Sequence, residues 1–367
     1  PTAVRPVLRL STVINLSRSR GVTGSTLGAT SYALAQDVNA TFFFFNDPAT
    51  TEIYTAQPVS TTAGATITPA VQLTARDALD NTATGFTGLV TAAIGTNPGG
   101  GTLSGTTQVN AVLGIASFST LSINRSGTGY TLTGSATGLT GAISSAFNIT
   151  AGTVSAATST VAAAPATITA SNGASASTIT VTARDAQGNP ISGATVVLAA
   201  TGTGNTLTQP GLTNSAGVAT GTLSSTVAET KTVSATANGV AVTQTAIVTV
   251  NPAGVSAALS TVSAAPASIP ASNGTSQSTV TVTARDAFGN PISGATVVLA
   301  ASGTGNTVTQ PAATTNASGV ASGTLSSTVA ETKTVSATAN GVAITQTATV
   351  TVTVGGVSAA LSTVSAA

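Results

Sequence analysis

Val181-Thr-Ala-Arg-Asp-Ala-Gln-Gly-Asn-Pro-Ile-Ser-Gly-Ala-Thr-Val-Val-Leu198 contains the end of one strand, a turn and most of a second strand. The strand begins upstream, at Ser177. From there to Arg184 the residues alternate with period two: Ile179, Val181 and Ala183 share one face, and Thr178, Thr180, Thr182 and Arg184 the other. That is the pattern of a half-buried strand in an antiparallel sheet. Every residue type in Asp185-Ala-Gln-Gly-Asn-Pro190 suits a turn. Asp accepts from amides two residues on, Gly tolerates positive φ, and Asn-Pro favours an extended exit. Residues 194–200 then read as a buried strand, with Val196, Val197 and Leu198 as an apolar run.

The same stretch returns as Val282-Thr-Ala-Arg-Asp-Ala-Phe-Gly-Asn-Pro-Ile-Ser-Gly-Ala-Thr-Val-Val-Leu299. Indeed the stretch 152–250 is written again, almost letter for letter, over 254–352, with one residue inserted between Pro311 and Asn316. A third start, Gly356-Val-Ser-Ala-Ala-Leu-Ser-Thr-Val-Ser-Ala-Ala367, matches residues 254–265. A period of ~100 residues is domain-sized, so the chain reads as a string of modules and not as a short-period solenoid.

Within one copy, Asn214-Ser-Ala-Gly-Val-Ala-Thr-Gly-Thr-Leu223 reads as a turn and a strand with Ala219, Gly221 and Leu223 inward. Residues 232–237 form a further strand, closed by Asn238-Gly239, a strong hairpin signal. Val240, Val242, Ala246, Val248 and Val250 are in phase along a last strand, 240–250. The stretch 154–168 is expected to pair with both sheets. The sum is about seven strands with turn signals every ~8–12 residues, the signature of an immunoglobulin-like Greek-key β-sandwich. The expected class is all-β: tandem sandwich modules in an elongated array. The Cys-Trp-Cys pattern of antibody domains is missing, so the core must be aliphatic.

The expected division is 1–55, a non-repeat segment, poorly ordered or artefactual; 56–151, a divergent module; 152–252 and 253–354, two near-identical modules; and 355–367, the first strand of a truncated further one. The divergent module shares Thr74-Ala-Arg-Asp-Ala78 with the others and adds aromatic core candidates Phe86, Phe118, Tyr130 and Phe147. Leu113-Gly-Ile-Ala-Ser-Phe-Ser-Thr-Leu121 takes the part of residues 217–223. Residues 1–41 match no repeat. In Phe42-Phe-Phe-Phe-Asn-Asp-Pro-Ala-Thr-Thr-Glu-Ile-Tyr-Thr55, residues 46–55 closely resemble the translation of a DNA-sequencing adapter. We therefore leave 42–55 out of the expected fold.

The letters Val-Thr-Ala-Arg-Asp-x-x-Gly-Asn-Pro-Ile-x-Gly-x-x-Val, followed by Thr-Asn-x-x-Gly-Val-Ala-x-Gly-x-Leu, resemble the bacterial Ig-like domain of group 1. This is the module of invasin and intimin stalks. The resemblance covers the second and third modules nearly end to end. Asn214 and Asn316 depart from the family's more usual Asp and should leave the turn intact. The resemblance implies a stalk or spacer of a secreted or surface-attached bacterial adhesin. Such a stalk presents a distal binding domain, and attaches to the outer membrane, through regions outside this sequence. The alternative is glycan-binding or spacer modules of a large exported enzyme. The implied partners are neighbouring modules and a host or surface receptor reached through those other domains. The start at Pro1 and the stop inside a copy are read as those of a fragment.

Composition narrows the chemistry. With no Cys and no His the chain holds no disulfide, thiolate nucleophile, Cys/His zinc site or Ser-His-Asp triad. Charged residues are 5% and the formal charge is +1. No basic cluster tracks phosphates, so nucleic acid is not an expected partner. No run of ~18 apolar residues is present, so no membrane insertion by a helix is expected.

Several residues are weighed as sites and set aside. Asp185 with Glu229, and Asp286 with Glu331, are the acidic groups of the repeated modules, and they sit on different elements with no third acid to support a glycosidase pair. The chain is read as no enzyme. Asp185, Gln187 and Asn189 share a turn, but one carboxylate is poor for calcium, and a turn cap is preferred. Lys231 lies two residues from Glu229; a Lys–Asn or Lys–Asp cross-link is weighed against a strand-end pair whose ammonium reaches water, and the second is preferred. Asn148-Ile-Thr150 and Asn273-Gly-Thr275 are glycosylation-type triplets expected by chance in a Ser/Thr-rich chain. No catalytic, cofactor or metal residue is assigned. Glycan platforms need exposed aromatics, and the repeated modules hold a single one, Phe288.

Overall fold

The computed structural model describes residues 51–357 and 361–365. The expectations for residues 1–50, the four Phe included, lie outside the described residues. The described residues divide into two compact units, with the split between Gly152 and Thr153.

The second unit holds two sandwiches with separate aliphatic cores. In the first of them one sheet runs, in spatial order, Thr160–Ala164, Ser177–Thr182, Val218–Ser225, Asn205–Thr208. The facing sheet runs Thr167–Thr169, Ala246–Asn251, Thr230–Ala237, Val196–Ala200. Neighbours that are distant in sequence, such as Ser177–Thr182 beside Val218–Ser225, make this a Greek key of immunoglobulin type. The opening stretch serves both sheets for a simple reason. Its ladder with Ser177–Thr182 ends at Ala164, because Pro165 has no N–H to contribute. The chain then crosses over, and Thr167–Thr169 pairs in parallel with the last strand.

Alternation explains the core. Ile179, Val181 and Ala183 are fully buried, opposite Val196, Leu198, Val233, Val248 and Val250. The expected apolar run at 196–198 is corrected: Val196 and Leu198 point inward, but Val197 is 52% exposed. Its sheet has one face in water, so period two overrides the run of three apolar letters. The expected last strand is also shorter. Val240–Ala241 closes the hairpin, and Ala246–Asn251 pairs separately. Between them Thr243 gives its N–H to Ala156 O at 3.0 Å instead of to a neighbouring strand. At the hairpin tip Asn238 and Gly239 both have positive φ (46° and 79°), the I′ geometry that follows the twist of the strands. The third module repeats these pairings in matching register, from Thr261–Ala265 to Ala348–Thr353.

The first unit has a more aromatic interior. Thr51–Ala56, Val71–Arg76 and Ile115–Phe118 form one three-stranded sheet. Leu89–Ile94 and Leu132–Ala136 lie in a second, and Phe147–Thr150 in a third. Phe118, Tyr130 and Phe147 are buried, and Phe86 packs at the edge. The Tyr130 and Phe147 rings lie 6.2 Å apart, and the Tyr130 hydroxyl donates to Arg125 O at 2.9 Å. The first strand starts at Thr51, so the module boundary expected at residue 56 falls at the end of a paired strand. Tyr54 fills part of the core from this strand. Glu52 is buried with both carboxylate oxygens lacking a hydrogen-bond partner, as is the Tyr54 hydroxyl. Burial pushes the Glu52 carboxyl above its usual value. Burial, and then the Glu52 charge, push the Tyr54 phenol up. Buried polar groups normally find partners, so this strand suits its surroundings poorly.

Candidate functional site

Lys231 stands on the strand Thr230–Ala237 at the inward parity of Val233 and Ala235. The ammonium does not reach water: Lys231 and its counterpart Lys333 are 0% exposed. A buried ammonium must be paired and hydrogen-bonded. Lys231 Nζ donates to Thr203 O at 2.6 Å and to the Glu229 carboxylate. Glu229 keeps 41% of its side chain in solvent and accepts from Thr203 N at 3.2 Å. The hydrogen bond from Lys231, and then that from Thr203 N, hold the Glu229 carboxyl below its ordinary value of 4.5. Lys333, Glu331 and Thr304 repeat the arrangement. Gly202 must be glycine here: its φ is +75°, and a Cβ would sit 2.0 Å from Glu229 Oε1. The partners of Nζ are a main-chain carbonyl and a carboxylate. The Asn205 amide nitrogen donates elsewhere, to Thr201 O and Gly202 O. The group thus ties loop 201–205, the crossover from one sheet to the other, to the strand Thr230–Ala237.

The Asp turn is a second polar cluster. Asp185 Oδ1 accepts from Gln187 N at 2.9 Å and Asn189 N at 2.8 Å, and Oδ2 accepts from Asn189 Nδ2 at 2.9 Å. Arg184 donates to Gly188 O at 2.8 Å. This is an Asx-capped turn, with both carboxylate oxygens engaged by donors of the turn itself. Asp185 and Glu229 are therefore held in separate networks, and so are Asp286 and Glu331. Among the described residues no group of three or more acidic side chains gathers where a cation would sit. The turns at Asn214 and Asn316 keep the Asp role: Asn214 Oδ1 accepts from Ala216 N at 2.9 Å and Val218 N at 3.1 Å.

Within the second unit, the Asp turn of the third module also reaches the module before it. Asn290 Nδ2 donates to Thr226 O at 2.9 Å, and Asn290 Oδ1 accepts from Ala228 N at 2.9 Å. Its other amide hydrogen goes to Asp286 Oδ2 at 2.7 Å. Asp286 Oδ2 also accepts from Ala253 N in the linker at 2.9 Å. Val255 forms a β-bridge with Asp286, and Ser256 N donates to Arg285 O at 2.7 Å. Burial raises the Asp286 carboxyl, but the hydrogen bonds from Asn290, Ala253 and Phe288 outweigh it and leave it below its ordinary value. Asp286 and Asn290 are both buried at this joint. Sequence reading explained the Asp turn as a local cap and missed the joint. The available signal was that Asp and Asn are retained in both copies while the residue between them changes from Gln187 to Phe288.

A family model described as "Invasin, domain 3" matches residues 155–253 and again 256–355. None of the curated proteins compared by sequence matches the chain. Among solved structures, the Escherichia coli adhesin FdeC is similar at 24% identity over 84% of this chain and 99% of that one, with a TM-score of 0.47. Yersinia pseudotuberculosis InvD is similar at 29% identity over 56% of this chain and 60% of that one, TM-score 0.45. Invasin, a bacterial integrin-binding protein, is similar at 20% identity over 82% of this chain and 59% of that one, TM-score 0.49.

Proposed function

The chain belongs to the invasin domain 3 family, and on that premise we propose that it is a stalk segment of an adhesin. The family is one of non-enzymatic, adhesin-type domains of surface-exposed bacterial proteins. In this reading the modules supply length between an outer-membrane anchor and a receptor-binding domain, both carried elsewhere in the protein. The observation that carries it is the joint between modules two and three, where Asp286 and Asn290 bond to the preceding module and its linker. A spacer needs defined connections more than it needs a pocket. Its polar groups accordingly go to turns, to the Lys231 anchor and to the joint.

Two experiments test the proposal. The complete gene should encode a membrane anchor and a distal binding domain flanking the array; a cytoplasmic enzyme fused in frame would overturn it. The purified chain should fail to bind host cells that the whole protein binds. Saturable binding by the chain itself would assign the contact to these modules instead.

A further inference from the structure

The joint is built from two unequal halves. The half formed by the preceding module and the linker is main chain only: Thr226 O and Ala228 N from the module, and Ala253 N from the linker. The half on the following module is two specific side chains, Asp286 and Asn290. A side-chain amide offers a donor and an acceptor side by side, as a peptide group does, so Asn290 engages residues 226–228 much as an added strand would. Asp286 is the only carboxylate in it, and the hydrogens it accepts are those of Ala253, Phe288 and Asn290.

Both halves recur in each repeated module. Residues 224–231, Ser-Ser-Thr-Val-Ala-Glu-Thr-Lys, are identical to residues 326–333. Loop 328–330 is shaped by the same local bonds as its counterpart: Thr328 N to Gly305 O at 3.0 Å and Val329 N to Ser327 Oγ at 3.2 Å, against Thr226 N to Gly204 O at 3.0 Å and Val227 N to Ser225 Oγ at 3.1 Å. The two loops differ in one respect. Residues 226–228 are half-buried, and residues 328–330 are exposed.

We propose that loop 328–330, with the linker amide at Gly355, is a docking site for the Asp-x-x-Gly-Asn turn of another module of this type. This deepens the stalk reading and rests on it only for further modules in the same protein. Because the receiving half is main chain, its side chains are free to vary, and Ala253 can become Gly355 without loss. Compatibility is then set by the incoming Asp and Asn alone. The second module carries that pair as Asp185 and Asn189.

Amide exchange on the intact chain tests this with an internal control, since the two loops share one sequence. The Ala228 amide should exchange on the order of tenfold more slowly than the Ala330 amide. Asn290→Ala should bring Ala228 to the rate of Ala330, with the hairpin amides at Asn238 and Asn340 unchanged as a check on folding. A second arm does not depend on that variant folding. In a chain where residues 356–367 are replaced by a copy of 254–355, Ala330 should gain the protection of Ala228. Replacing the appended copy's equivalent of Asn290 by Ala should remove it. Equal rates for Ala228 and Ala330 in the original chain, or no gain at Ala330 in the extended one, would overturn the proposal. Either result is independent of whether the chain binds cells.

Discussion

At the scale of single residues, two buried charges behave in opposite ways. Glu52 has no partner for either oxygen, and its folded carboxyl binds its proton more tightly than the unfolded one. The sign follows: module one is most stable with Glu52 protonated, and loses stability as pH rises and the group ionises. Glu52→Gln should therefore stabilise this module near pH 7, by on the order of 1 kcal/mol, with a smaller gain in acid. Calorimetry of the two proteins at both pH values checks it, and an unchanged transition would show that the carboxylate is solvated. The result bears on origin as well, since Glu52 and Tyr54 fall within the stretch that resembles a translated adapter. Lys231, by contrast, is fully paired. Removing Glu229 leaves an ammonium buried with a single carbonyl, whereas removing the lysine leaves a carboxylate already facing water. Glu229→Ala should thus destabilise module two more than Lys231→Met, which should cost no more than about 1 kcal/mol. The reverse order in urea titrations would contradict the assigned burial. Below the ordinary value of 4.5 the Glu229 contribution is lost progressively as pH falls through its lowered folded value.

At the scale of elements, alternation makes most of the strands legible in the sequence alone. Ile179, Val181 and Ala183 announced an inward face because nothing in 177–184 competes with period two. The I′ hairpin at Asn238-Gly239 was legible for the same reason: few residue pairs accept positive φ twice. Val197 was misread because three apolar letters in a row satisfy a buried strand and a half-exposed one equally, and only the sheet's solvent face decides. Leu198→Ala should accordingly cost about 2–4 kcal/mol, and Val197→Thr should stay within about 0.5 kcal/mol. Comparable losses in chemical denaturation would mean that both faces are covered. Lys231 was misread in the other direction. Its parity pointed inward, but a lone lysine is ordinarily solvated, and beside the local Glu229 its other partner, Thr203 O, comes from a loop nearly thirty residues earlier. Long-range pairing of that kind leaves no local trace. The joint was hidden for a related reason, because Asn290 satisfies a turn rule by itself and its second role lies in another module.

At the scale of the whole molecule, repetition supplies both length and a hazard. Neighbours as alike as modules two and three can exchange strands during folding, and low charge does little to keep edges apart. A built-in joint counters this by making the correct neighbour the one that completes a hydrogen-bond set. Asp286 gives the joint a pH dependence. Its folded carboxyl lies below the ordinary value of 3.8, so its contribution is present above that value and is lost as pH falls through the folded one. Modules two and three should unfold together near neutrality and separate into two transitions in stronger acid. In Asp286→Asn the separation should be present at every pH. Calorimetric scans from pH 7 down to about pH 2 would show it, and coupling that persists throughout would remove Asp286 from the joint.

The two interior lysines carry one more consequence. They are the only lysines in the sequence, and both are sealed inside folded modules. The folded repeats therefore present no side-chain amine to the outside. Acylating reagents, aldehydes and lysine-directed enzymes find nothing to react with until a module opens. The rate at which Lys231 and Lys333 become labelled is then a direct count of how often each module opens, read separately for two near-identical units in one chain.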